Sequence, residues 1–146
     1  MREPDPDVQV AVASAALLGE SPMWHPREQV LYYCDIPGHQ LQRYNPVSGA
    51  LDHWRFETDV SCCAPRLDGG LTLAMRDGLW RFDTVSGERT RLAEPPYDPA
   101  KERFNDGKCD PQGRLWVGTI YEPRDPPLAA LYRFQGDTLE RQAEGI

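Results

Sequence analysis

Three stretches of the chain repeat one order of features, and this repeat limits the fold more than any other property. Each stretch has a turn, a short apolar strand, a strand with an Arg-aromatic step, and a turn that bears glycine. The turns that open them are His25-Pro26-Arg27-Glu28, Asp68-Gly69-Gly70 and Asp110-Pro111-Gln112-Gly113. The apolar strands are Leu31-Tyr32-Tyr33, Leu71-Thr72-Leu73-Ala74 and Leu115-Trp116-Val117-Gly118. The Arg-aromatic steps are Arg43-Tyr44, Arg81-Phe82 and Arg133-Phe134.

From His25 to Asp68 is 43 positions, and from Asp68 to Asp110 is 42. Four strands of about six residues with four short connections need roughly 40, the length of a propeller blade. The Arg-aromatic step is longer in the third copy, and the excess falls in Tyr121-Glu122-Pro123-Arg124-Asp125-Pro126-Pro127, a loop by composition. No long segment shows helical apolar spacing. Val8, Val10 and Val12 alternate ahead of Gly19 and predict an extended entry strand. The expected fold is therefore all-β, about three four-stranded blades of a β-propeller. The blades run roughly 16–60, 61–102 and 103–146, after an N-terminal extension and entry strand over 1–15. A β-sandwich also has short strands between turns, but equal spacing of whole four-strand units favours the propeller.

Composition excludes several function classes. A net charge of −7 with scattered Lys and Arg offers nucleic acid no basic face. No run approaches the roughly 18 apolar residues of a membrane span. The acidic, proline-bearing start lacks the basic and apolar regions of a secretory signal. Cys34, Cys62, Cys63 and Cys109 lack metal-ligand spacing and read as plain thiols, which points to a cytoplasmic protein. Adjacent Cys62 and Cys63 on a strand would face opposite ways. His25, His39 and His53 match no zinc pattern, and no serine sits in a nucleophile elbow. Trp24, Trp54, Trp80 and Trp116 recur at strand positions and read as packing between blades.

In a propeller, polar residues at the upstream ends of the innermost strands converge on the axis. Two places fit. Glu20, in Leu18-Gly19-Glu20-Ser21-Pro22-Met23-Trp24, is either a surface glutamate at a strand start or a channel-mouth carboxylate suited to a hard cation. Arg103 and Asn105 share a face at strand period and suit a polyhydroxylated or carboxylate-bearing small molecule. Asn105-Asp106-Gly107 also reads as a plain turn, with Arg103 a solvated neighbour.

These stretches together resemble the gluconolactonase/regucalcin (senescence marker protein) family. Leu18–Trp24 is similar to its opening signature, Leu31-Tyr32-Tyr33-Cys34-Asp35-Ile36 to the strand that follows, and Arg103–Thr119 to its most distinctive run. The resemblance implies a six-bladed propeller and hydrolysis of sugar lactones, with a divalent metal, calcium or zinc, in the central channel. Glu20 then matches a metal ligand, and Arg103 and Asn105 match residues that hold the substrate. Glu122 lies near a further substrate-contacting carboxylate, one position out of register because Pro123 follows it. The metal would polarise the lactone carbonyl and help ionise water.

Family members run to about twice this length, and their remaining metal ligands and proton acceptor lie in later blades. The chain is therefore expected to be an N-terminal half, inactive alone or in need of a second half, with open blade edges prone to self-association. Other ester or phosphotriester hydrolysis, and a non-catalytic small-molecule-binding or scaffold fragment, are the alternatives.

Overall fold

The computed structural model describes residues 7–146, so the first six residues of the acidic start lie outside it. Among the described residues, twelve strands form three antiparallel sheets of four. Sheet one holds β1 (Gly19–His25), β2 (Val30–Asp35), β3 (Gln40–Tyr44) and β4 (Leu51–Arg55). Sheet two holds β5 (Val60–Pro65), β6 (Leu71–Met75), β7 (Gly78–Phe82) and β8 (Arg89–Ala93). Sheet three holds β9 (Glu102–Cys109), β10 (Leu115–Tyr121), β11 (Ala130–Gln135) and β12 (Thr138–Glu144). In each sheet the strands pair in chain order, as short turns between antiparallel strands dictate. None of the described residues forms a helix long and apolar enough to cross a membrane.

The sequence repeat persists at atomic detail. Asn45 Oδ1 accepts the N–H groups of Val47 and Ser48, and Gly49 N–H returns to the Asn45 carbonyl at 2.8 Å. Asp83 does the same for Val85 and Ser86, and Gly87 N–H returns to its carbonyl at 2.8 Å. Both turns close on a glycine at positive φ, 74° at Gly49 and 78° at Gly87, where a side chain would be strained.

The core lies in two seams. Tyr32, Cys34 and Leu41 of sheet one pack on Leu71, Leu73, Met75 and Phe82 of sheet two. Cys62, Ala74 and Leu79 of sheet two pack on Phe104, Val117, Tyr132 and Phe134 of sheet three. Sheet two is covered on both faces, which explains why β6 is an unbroken buried run rather than an apolar-polar alternation. Cys62 and Cys63 do point into different seams. Trp54 stacks edge-on against Phe82 at 5.6 Å and Trp80 joins the same seam. Trp24 and Trp116 do not belong to either seam, contrary to the packing expected of all four.

The expected entry strand is corrected. Residues 7–18 form no strand, because alternation alone does not make one without a neighbour to take its hydrogen bonds. Val8 and Val10 are 68% and 82% exposed. The segment is instead tied at its end, where buried Asp35 accepts the N–H groups of Leu17 and Leu18 at 3.1 and 3.0 Å.

Asp110 organises the β9–β10 turn. Its carboxylate accepts the N–H groups of Gln112 and Arg114, the Arg114 guanidinium at 2.6 Å and the Trp116 indole at 2.8 Å. Burial works to raise its pKa, but these donors outweigh it and hold the carboxyl at about 2. A carboxyl titrating below its unfolded value of about 3.9 stabilises the fold above that pH and loses the contribution as pH falls through about 2. Asp110→Ala is therefore expected to melt several degrees lower than the parent at pH 7. The gap should narrow toward pH 2, as followed by thermal circular dichroism.

Candidate functional site

The first strand of each sheet is its innermost, and β1, β5 and β9 lie side by side. All three are bulged near their starts. Ser21 and Pro22 face Tyr33 of β2, Ser61 is an extra residue opposite the Met75–Ala74 step of β6, and Asn105 and Asp106 face Gly118 of β10. A bulge bends its strand and re-aims side chains, and here the bulged residues tie the inner strands together. Ser21, at φ 54°, donates its hydroxyl to Asp106 Oδ1 at 3.0 Å. Ser61, fully buried, donates to the Phe104 carbonyl at 2.6 Å.

Each sequence-predicted residue can be placed on this frame. Glu20 and Arg103 are the second residues of β1 and β9, just ahead of the bulges. Arg103 donates to Asn105 Oδ1 at 3.1 Å and to the Phe104 carbonyl at 2.9 Å, so the two side chains expected to share a face are in contact. Asn105-Asp106-Gly107 is a bulge inside β9 and not a turn. Glu20 is exposed, and none of the described residues joins it to Arg103 or Asn105; the link between their strands is Ser21 to Asp106. Glu122 follows β10, and its Oε1 lies 3.8 Å from Arg103 Nε.

Sequence reading missed the group that holds Glu122. Arg76, in the β6–β7 turn, donates to both Glu122 oxygens at 3.1 and 2.7 Å and to Asp59 Oδ2 at 2.8 and 2.6 Å. His39 Nε2 lies 3.1 Å from the other Asp59 oxygen. His39, Asp59, Arg76, Glu122, Arg103 and Asn105 thus form one polar chain across all three sheets. The hydrogen bond from Arg76 is the main cause of the depressed Glu122 pKa, and Glu122 in turn holds the guanidinium proton more firmly. Such a chain leaves no local spacing to find, since its members lie up to 83 positions apart.

The thiols are poor nucleophiles. Burial pushes Cys63 up to about 12 and Cys34 and Cys62 well above their ordinary value. An open cleft of about 500 Å³ between the inner strands is lined by Ser21, Trp24, Cys63, Asp106 and Lys108 among others. A larger one, of about 610 Å³, adjoins it at Ala64, Pro65 and Cys109 and extends among the turns at Arg66–Asp68 and Asp110–Gly113; none of the candidate residues lines it.

A family model described as SMP-30/Gluconolactonase/LRE-like region matches residues 18–146. The chain belongs to the SMP-30/gluconolactonase/LRE-like family. Among relatives of this family chain, a 6-deoxy-6-sulfogluconolactonase of Pseudomonas putida is 39% identical over 130 residues, covering 89% of the chain and 45% of the relative. A pentonolactonase of Haloferax volcanii is 37% identical over 126 residues, covering 86% and 42%. The solved structure of a calcium-binding regucalcin from Agrobacterium tumefaciens superposes with a TM-score of 0.88 at 27% identity, covering 94% of the chain and 46% of that structure. The chain spans somewhat under half the length of the relatives it matches.

The donor set bears on the metal that the family implies. Among the described residues no three His, Cys, Asp or Glu side chains cluster to hold an ion. A hard cation such as calcium takes six to eight oxygens, and Glu20 offers one carboxylate. These residues alone do not fit a metal centre.

Proposed function

We propose that the chain carries the substrate-holding part of a sugar-lactone hydrolase site, on a propeller that has six blades when complete. The observation that supports this most is the Arg103–Asn105 pair, fixed by a direct hydrogen bond at an inner-strand bulge next to the strand of Glu20. Arg103 offers a fork of donors to a lactone carbonyl and ring oxygen, and the Asn105 amide can answer sugar hydroxyls. Glu122, held by Arg76, keeps a negative charge beside Arg103 and steadies it. Glu20 would supply one oxygen to a divalent cation, calcium or zinc, whose other ligands come from outside these residues. The proton acceptor for water is not assigned to this chain.

On this reading the chain alone binds a lactone without turning it over. The reading is tested by titrating the labelled protein with a non-hydrolysable gluconolactam, with and without calcium, and following amide shifts by NMR. Shifts should gather at Arg103, Asn105 and neighbouring β9, be lost in Arg103→Met, and be absent with a phosphotriester. Calcium alone should bind no tighter than about millimolar, the range of sites with few ligands. Shifts scattered away from β9, or a phosphotriester preferred to the lactam, would remove the reading. The incomplete donor set favours a second reading, a small-molecule-binding unit without catalysis, which the lactam titration shares. A lactone-turnover assay with calcium and the C-terminal half of a full-length relative supplied in trans separates them, since only the first reading gives turnover there.

A further inference from the structure

The seams between sheets have a direction. Aligned by the repeat, Leu31, Leu71 and Leu115 are equivalent, as are Tyr44, Phe82 and Phe134. In sheets two and three these residues look back toward the preceding sheet: Leu71 and Phe82 lie in the first seam, Leu115 and Phe134 in the second. The positions between them look forward. Cys34 and Leu41 of sheet one face sheet two, and their equivalents Ala74 and Leu79 of sheet two face sheet three. Each sheet therefore has a bulky back face and a front face with a small residue where the next sheet enters.

Strand alternation carries the same rule to both ends of the arc. Sheet three turns Trp116, Gly118 and Leu131 forward, and Gly118 is the equivalent of Cys34 and Ala74. Sheet one turns Trp24, Leu31, Tyr33, Tyr44 and Leu51 backward, Trp24 being 47% and Leu51 37% exposed. Neither set belongs to a core cluster. The two open faces are the two halves of a seam that the molecule already makes twice.

We infer that a second copy of this chain covers both faces at once, front to back and back to front, closing a ring of six sheets. A front-to-back contact either closes or runs on as a fibre, according to the turn per sheet. The three sheets superpose on 46% of the solved regucalcin with a TM-score of 0.88, so the turn per sheet is shared and two such arcs match nearly the whole of that chain's length. Association thus runs through sheet faces, not through the strand edges that the repeat count alone suggested. The inference does not rest on lactone chemistry, and its failure would leave that reading standing.

The test is the mass of the 146-residue chain by light scattering across a range of concentrations. The parent should run at twice the monomer mass. Trp116→Glu spoils the front face, losing also the indole bond to Asp110, and Leu31→Glu spoils the back, so each alone should run as a monomer that keeps a β-sheet circular dichroism spectrum. An equimolar mixture should recover dimer, because the intact front of Leu31→Glu meets the intact back of Trp116→Glu. Should either variant lose its sheet spectrum, Trp116→Gln and Leu31→Gln take their places. A monomeric parent, a mass that climbs without limit, a variant that stays dimeric alone, or a mixture that stays monomeric each overturns the inference.

Discussion

Replacing Phe104 by alanine is expected to cost roughly 3–5 kcal/mol, the range for truncating a buried aromatic. Phe104 is fully buried in the second seam, edge-on to Tyr97 at 5.2 Å and to Tyr132 at 6.4 Å. Its backbone is held as firmly as its ring: the carbonyl accepts from Ser61 and Arg103, and the N–H donates to the Tyr97 hydroxyl at 2.9 Å. A single domain is stable by only about 5–15 kcal/mol, so this one ring accounts for a large share. The effect should extend to the site, because Phe104 sits between Arg103 and Asn105 and its packing sets where both emerge. Phe104→Leu, which keeps most of the volume, should cost about 1 kcal/mol. Urea unfolding decides it. A Phe104→Ala midpoint within about 1 kcal/mol of the parent at unchanged slope would mean that β9 is anchored elsewhere.

The parts of this molecule that show in its sequence are the parts made locally. Asn45-Pro46-Val47-Ser48-Gly49 and Asp83-Thr84-Val85-Ser86-Gly87 build the same turn from the same side-chain oxygens and the same glycine, so the repeat is visible before any coordinate. The loop after Tyr121 shows itself by proline and charge. The contact of Arg103 with Asn105 follows from strand period over two residues. Where a partner decides the outcome, local pattern fails. Val8, Val10 and Val12 alternate like a strand and are not one, since none of the described residues pairs with them as a strand. The bulges at Ser21, Ser61 and Asn105-Asp106 are registers between two strands, and neither strand alone records them. Gly107 belongs with these: a methyl group there would lie 2.8 Å from the Trp116 carbonyl and 3.1 Å from Cys62 Sγ, a crowding set by two other strands.

Arg76 is the furthest case, and its loss should be the second large effect. Arg76→Met is expected to destabilise the fold by about 2–3 kcal/mol, most of it from Asp59. That carboxylate is only 10% exposed, and it would keep a single neighbour, His39, in place of a guanidinium that reaches it twice. The more exposed Arg76–Glu122 pair adds less directly, because water screens it. Its signature lies in pH. Arg76 holds the Glu122 carboxyl below its ordinary value, so the pair stabilises the fold above the unfolded pKa of about 4.3 and stops doing so as pH falls through the lowered folded value. The gap between parent and Arg76→Met should therefore be widest near neutrality and shrink on acidification below about pH 4. Arg76→Lys should fall between them, since an ammonium can serve one of the two carboxylates but lacks the fork that serves both. Arg103 gives the readout that a purely structural role would not move. With Glu122 released, the lactam-induced shift at Arg103 should weaken in Arg76→Met more than at Phe104, whose packing does not involve Arg76. Equal weakening at both positions, or a stability gap that does not change with pH, would reduce Arg76 to a clamp between sheets with no part in positioning the site.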